Sequence, residues 1–367
     1  MEEKTGRVVR LLAEERLGGL LVGAQHNFAW LTAGGRNGID LSRDPGAGAL
    51  LIRRDGRRFV VANNIEMPRL VGEELTGLDF EPVEFGWEAE KANPALAGER
   101  ALSLLAPGET LGTDLAVGAA RVVEGAVARA RYQLTEGEIE RYRALGRDAG
   151  EAVGGVARAL VPGLSEIEIA RRASEALAAR GMRAVVALAA ADERLARYRH
   201  PVPTDKRWER AAMIVVCASR GGLVVSLSRI VSAGAVPEDL RLRTESAARV
   251  NAALLAATRP SATGAELYEV AARAYAEEGF EGEQRRHHQG GATGYRTREW
   301  VAHPGSREVV QARQAFAWNP SITGTKVEET CVAFDDGVEL ITQSPGWPRI
   351  AACAGGVEYL LPGVLAL

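Results

Sequence analysis

The chain has 367 residues, 46% apolar and 25% charged, with a formal net charge of -3. That composition excludes disorder, and the charge gives no electrostatic case for nucleic acid or an anionic membrane as partner. The length suits about two domains. Cys217, Cys331 and Cys353 are too few and too scattered for a disulfide framework or a zinc ribbon, and an odd count fits a reducing compartment.

The opening residues, MEEKTGRVVRLLAEERLG, read as an amphipathic charged helix without the apolar core of a signal segment. No apolar run reaches the roughly 20 residues that span a bilayer, so a cytoplasmic protein with no membrane partner is expected. Apolar residues recur at helical spacing from Arg7 to Glu15, and GLLVGA from Gly19 follows as a buried strand. GALLIRR and RRFVVAN, joined through Asp55-Gly56, predict a hairpin. A helix over Glu66 to Glu74, a strand around Phe80 to Phe85, TLGTDL after Pro107-Gly108, and an alanine-rich helix to Arg131 complete an α/β domain over 1–133. Thr135 and Glu138 then stand at capping-box spacing and start the second domain, 134–367.

Within that second domain the sequence repeats. One constant offset carries Pro162 to Pro260, Ser165 to Thr263, Gly181 to Gly279 and Met182 to Phe280. Each copy offers a helix, a proline stop, a Ser or Thr N-cap with glutamate three residues on, a second amphipathic helix and a glycine C-cap. Strand-like runs follow each copy, AAMIVVCA and GLVVSLSRIV after the first, QAFAWNPSI and KVEETCVAF after the second. Two helices and then strands, twice over, predict a pseudo-twofold α+β domain whose curved antiparallel sheet carries a helical layer outside and a cavity inside.

The stretch from Arg285 to Arg298, RRHHQGGATGYRTR, leads into the second set of strands. It holds two of the five histidines, His287 and His288, beside Gly290, Gly291 and Gly294, where backbone can approach a ligand closely. Function is expected to centre there.

The N-terminal α/β domain, the duplicated helix pairs, His200-Pro-Val-Pro-Thr-Asp-Lys, His287 before a glycine-rich turn, and Lys326-Val-Glu-Glu-Thr together resemble the pita-bread peptidases. That family holds Xaa-Pro dipeptidase (prolidase), aminopeptidase P, methionine aminopeptidase and the metal-free amidinohydrolase creatinase. The resemblance implies a creatinase-like N-terminal α/β domain followed by a pita-bread domain. It also implies a dinuclear metal centre held by two aspartates, one histidine and two glutamates. Matched onto this chain, those five positions are Cys217 (or Val215, because the preceding segment is short), Ser226, Gly291, Asn319 and Glu328. One carboxylate in five positions cannot hold two metal ions, so no metal and no cofactor are expected.

The resemblance makes His200 the acid/base that creatinase uses without metal, a task suited to an imidazole that exchanges protons near neutrality. His287 and Glu328 join it as catalytic candidates. His288 has no counterpart and reads as a structural neighbour. Arg298 falls where the peptidases keep another substrate-site histidine and can pair with a carboxylate. Tyr295, Asn319, Cys217 and Ser226 are assigned with it to substrate binding. His26, Asn27 and Trp30 resemble the family element that can reach a neighbouring subunit's pocket, and a homodimer is implied. The expected function is metal-independent hydrolysis or lysis of a C–N bond in a small carboxylated or dipeptide-like substrate. An Xaa-Pro dipeptidase with unrecognised ligands and a non-catalytic binding protein are the alternatives.

Overall fold

The amphipathic start of the chain is helical, as its spacing implies: α1 (Glu2–Glu14) buries Val8, Leu11 and Leu12. The computed structural model describes every residue, Met1–Leu367, and divides between Arg131 and Tyr132 into two units. In the first, β1 (Gly19–Ala24) leads directly into α2 (Gln25–Leu31). β2 (Pro45–Arg53) and β3 (Arg58–Asn63) form the hairpin read from the turn dipeptide Asp55-Gly56. The helix read over Glu66 to Glu74 is instead a short α3 (Met67–Arg69) that widens into a π-helical turn, closed by the Leu75 amide donating to the Leu70 carbonyl. β4 (Glu81–Phe85), α4 (Trp87–Ala92), α5 (Leu96–Leu102), β5 (Leu111–Thr113), β6 (Arg121–Val122) and α6 (Glu124–Arg131) follow. The sheet order is β4-β3-β2-β1-β5-β6, and Leu21, Leu51, Phe59, Val61 and Leu111 form the core on one of its faces.

The second unit opens with α7 (Glu136–Arg158) and α8 (Glu166–Ala178), and its duplicate begins with α10 (Glu238–Ala257) and α11 (Gly264–Glu277). The short helix α9 (Arg194–Arg197) lies between them. Ser165 and Thr263 are equivalent N-caps: each accepts from the backbone of a glutamate three residues on, which reaches back to the cap. Each also makes an isolated antiparallel bridge, Ser165 to Arg207 and Thr263 to Val309. The repeat in the sequence is therefore a repeat of the fold.

The first half carries β7 (Arg183–Ala191), β8 (Ala211–Arg220) and β9 (Leu223–Ser232). The second carries β10 (Gly290–Thr293), β11 (Trp300–Val301), β12 (Gln314–Trp318), β13 (Glu329–Phe334) and β14 (Gly337–Leu340). A terminal hairpin, β15 (Arg349–Ala354) and β16 (Val357–Pro362), precedes β17 (Val364–Ala366), which pairs with β9 in parallel. β9 meets β13 through side chain as well as main chain: Thr330 Oγ1 accepts from the Ser226 amide at 2.8 Å and donates to its carbonyl at 2.9 Å. This junction joins the two half-sheets over the site. Outside it, α7 lies close to the chain because Gly146, Gly150 and Gly154 have no side chains; a Cβ on Gly150 would fall 2.5 Å from the Gln343 carbonyl oxygen. No helix is long and apolar enough to cross a membrane.

Candidate functional site

Seven separate segments deliver the polar residues of the second unit to one place. β8 supplies Cys217 and β9 supplies Ser226 and Ser228. The turn entering β10 supplies His287 and His288, and the β10–β11 loop supplies Arg298. Asn319 follows β12, and the extended run before β13 supplies Lys326 and Glu328. His200 comes from the loop between α9 and β8.

The Nε2 atoms of His200 and His287 are 3.1 Å apart. His287 Nδ1 lies 3.3 Å from Asn319 Nδ2, and in that amide orientation the nitrogen donates to Nδ1, so the His287 proton sits on Nε2 and is given to His200. His288 stacks on His287 with ring centroids 4.4 Å apart. Burial and the neighbouring Lys326 ammonium push the His287 imidazole down to about 2. Burial and Arg298 lower His288 to about 4. His200 is lowered by burial and Lys326 against the opposing pull of Glu328. All three rings are therefore neutral near pH 7.

Arg298 lies over positions that the resemblance matches to metal ligands. Its guanidinium reaches Ser226 Oγ at 3.5 Å, Asn319 Oδ1 at 3.3 Å and Glu328 Oε1 at 3.7 Å, three of the five positions that the resemblance matches to metal ligands. Its Nε is buried and has no partner. Ser228 Oγ donates to the other oxygen of Glu328. Cys217 Sγ is 3.2 Å from Ser226 Oγ, and burial raises its thiol above the ordinary value, which keeps it protonated. Lys326 is buried with no carboxylate at ion-pair distance; its Nζ makes one long bond, 3.5 Å to the Arg199 carbonyl. Burial pulls this ammonium below its usual value, with Glu328 the largest opposing influence.

With these contacts in view, the comparisons with known proteins identify the chain. The model of metallopeptidase family M24 matches residues 140–347, more than half its length. The chain belongs to that family. Over 93% of this chain and 95% of the other, the structure resembles the dipeptidase PepE from Mycobacterium ulcerans, at 17% identity and a TM-score of 0.76. The prolidase from Pyrococcus horikoshii OT3 is equally similar, at 18% identity and 0.76 over 93% and 98%. The N-terminal domain of the FACT complex subunit SPT16 from chickpea, Cicer arietinum, scores 0.68 at 11% identity over 93% and 96%. No curated protein sequence matches the chain. At such identities the likeness is one of fold.

A dinuclear metallopeptidase centre does not fit these residues. Glu328 is the one carboxylate among the five positions, the thiol is protonated, and a guanidinium carrying a positive charge is 3.7 Å from the carboxylate that a metal would need. Gly291 has no side chain to offer, and a Cβ there would fall 2.2 Å from the Trp300 carbonyl oxygen.

The structure brings His200, His287, Glu328, Arg298, Asn319, Cys217 and Ser226 together and leaves Tyr295 out. The Tyr295 hydroxyl is taken up by Glu138 at 2.5 Å and Arg141 at 2.9 Å, so its assignment to substrate binding gives way to a structural role beside the capping box of α7. In the first unit, Asn27 and Trp30 are interior. Asn27 bonds Asp114, Glu124 and Arg131, and only His26 remains partly accessible, 3.4 Å from Glu124. These side chains serve their own unit rather than reaching outward. Sequence reading missed Lys326 and Ser228 as site residues. Period-two spacing could have found both, since Lys326 precedes Glu328 by two residues on extended chain and Ser228 follows Ser226 by two on β9.

Proposed function

We propose that this chain is a hydrolase or lyase of creatinase type, cleaving a C–N bond in a small carboxylated substrate without the dinuclear centre of its family. The observation that carries this reading is the direct pairing of His200 and His287 at 3.1 Å beside two cations, Arg298, which lies 3.7 Å from the Glu328 carboxylate, and Lys326, which has no carboxylate at ion-pair distance. In this arrangement the His287 N–H occupies the one free lone pair of His200, so His200 takes a proton from the nucleophile, and returns it to the leaving nitrogen, once a bound substrate displaces that contact. His287 orients that ring. Lys326 and the unpartnered Nε of Arg298 supply positive charge for a substrate carboxylate. The resemblance supports a homodimer, and the odd cysteine count and charged first helix support a cytoplasmic location.

A second reading, a ligand-binding protein without turnover, draws on the likeness to a FACT subunit domain, whose name carries no peptidase activity. One experiment separates the two. Small N-substituted amino acids, guanidino acids and Xaa-Pro dipeptides are assayed in chelator with the wild-type chain and with His200→Ala. The catalytic reading expects turnover that falls by about 10²–10⁴-fold in the variant at unchanged thermal stability. Equal turnover in both proteins overturns the role of His200, and binding without product in either favours the second reading.

A further inference from the structure

We infer that His200, His287 and His288 form a site for a single borderline transition-metal dication of the Zn²⁺ class, separate from the dinuclear centre of the family. The three rings offer nitrogen atoms that all lie within 4.8 Å of one another. The Nε2–Nε2 separation of His200 and His287, 3.1 Å, is close to that of two nitrogens sharing a tetrahedral ion at bond lengths of about 2.0–2.1 Å. Their ring planes are 63° apart, so both planes can contain one ion. Asn319 lies against the far nitrogen of His287 at 3.3 Å; to accept the Nδ1 proton of a ligating imidazole its amide must reverse, at the cost of the bond its Oδ1 accepts from Arg298.

His288 must turn to complete the set. It is stacked on His287 with planes only 25° apart, and two nearly parallel rings cannot both aim a lone pair at the same ion. No hydrogen bond holds it there, however, and it is exposed, so rotation of its side chain costs little. The three donors are nitrogen with no carboxylate among them, which favours Zn²⁺, Co²⁺, Ni²⁺ or Cu²⁺ over Mn²⁺ or Mg²⁺. Lys326 and Arg298 oppose any cation here, and because Lys326 is buried, solvent screens it little. The site is accordingly weaker than a structural zinc site and keeps an open coordination position. None of the three histidines occupies one of the five positions matched to the family's ligands.

The inference does not depend on the proposed turnover and is tested by binding alone. The chain, free of any histidine tag and stripped with chelator, is titrated with Co²⁺ while its visible absorption is followed; Zn²⁺ and Mn²⁺ are then added in competition. The expected result is one Co²⁺ per chain with the intense bands of a low-coordinate nitrogen site, displaced by Zn²⁺ and not by equimolar Mn²⁺. Affinity falls tenfold or more in His288→Ala, or in His288→Gln if the alanine variant melts early. No saturable binding, or binding indifferent to His288, overturns the site.

Discussion

At residue scale, the misfit between these residues and a dinuclear metal centre goes beyond the side chains present. Replacing Cys217, Ser226 and Asn319 by carboxylates leaves the fifth ligand missing, and Gly291 cannot simply become histidine. A Cβ at that position meets the Trp300 carbonyl oxygen at 2.2 Å, a backbone atom that cannot swing aside as a long side chain would. The combined variant Cys217→Asp, Ser226→Asp, Gly291→His, Asn319→Glu is therefore expected to fold poorly and to bind no pair of Mn²⁺ ions. Metal analysis after dialysis checks this, and two bound equivalents in a protein of native melting temperature would show that the site had only lost its ligands. The same scale holds what the sequence concealed. Spacing could align Arg298 with a family histidine, but only the fold reveals that its guanidinium spans Ser226, Asn319 and Glu328. The role of Lys326 was likewise hidden, because its isolation from carboxylates is a property of the pocket and leaves no mark on the chain.

At the scale of elements, the repeat was legible because capping chemistry is local: Ser165 with Glu168 and Thr263 with Glu266 announce a helix start whatever surrounds them. β7 was not legible. Its sequence, RAVVALAAA, is as rich in alanine as the helices beside it, and only pairing with β8 makes it a strand. Helix α7 gives a prediction in which two effects of opposite sign compete. Glycine to alanine within a helix gains roughly 1 kcal/mol in propensity. At Gly155 nothing lies within 4 Å of the added Cβ, so Gly155→Ala should raise stability by about 0.5–1 kcal/mol. At Gly150 the Cβ would meet two backbone carbonyls, at 2.5 and 2.7 Å, and overpacking should win, with a net loss of about 1–3 kcal/mol. Denaturant unfolding of the two variants decides; a stabilised Gly150→Ala would mean that α7 moves freely off the chain beneath it.

At the scale of the whole molecule, acid sensitivity should have a contribution from the first unit. Burial would raise the Glu124 carboxyl, yet His26, Arg131 and Asn27 together hold it down to about 2 from 4.5. A depressed carboxylate contributes stability that is complete above 4.5 and lost as pH falls from there through about 2, because the unfolded chain takes up the proton first. Glu124→Gln should cost about 1.5–3 kcal/mol near neutrality, since it removes the ion pair between Glu124 and the buried Arg131, and progressively less toward pH 2. Melting curves of both proteins from pH 7 to pH 3 test this, and a constant gap between them would remove Glu124 from the account.

The guanidinium of Arg298 carries one last implication. A metal ion must be collected after synthesis, can be exchanged for a stronger competitor, and is lost when the cell runs short. A side chain is present from the moment the polypeptide is made, cannot dissociate, and stays charged across the physiological pH range. At this point in the fold, the positive charge comes with the polypeptide itself.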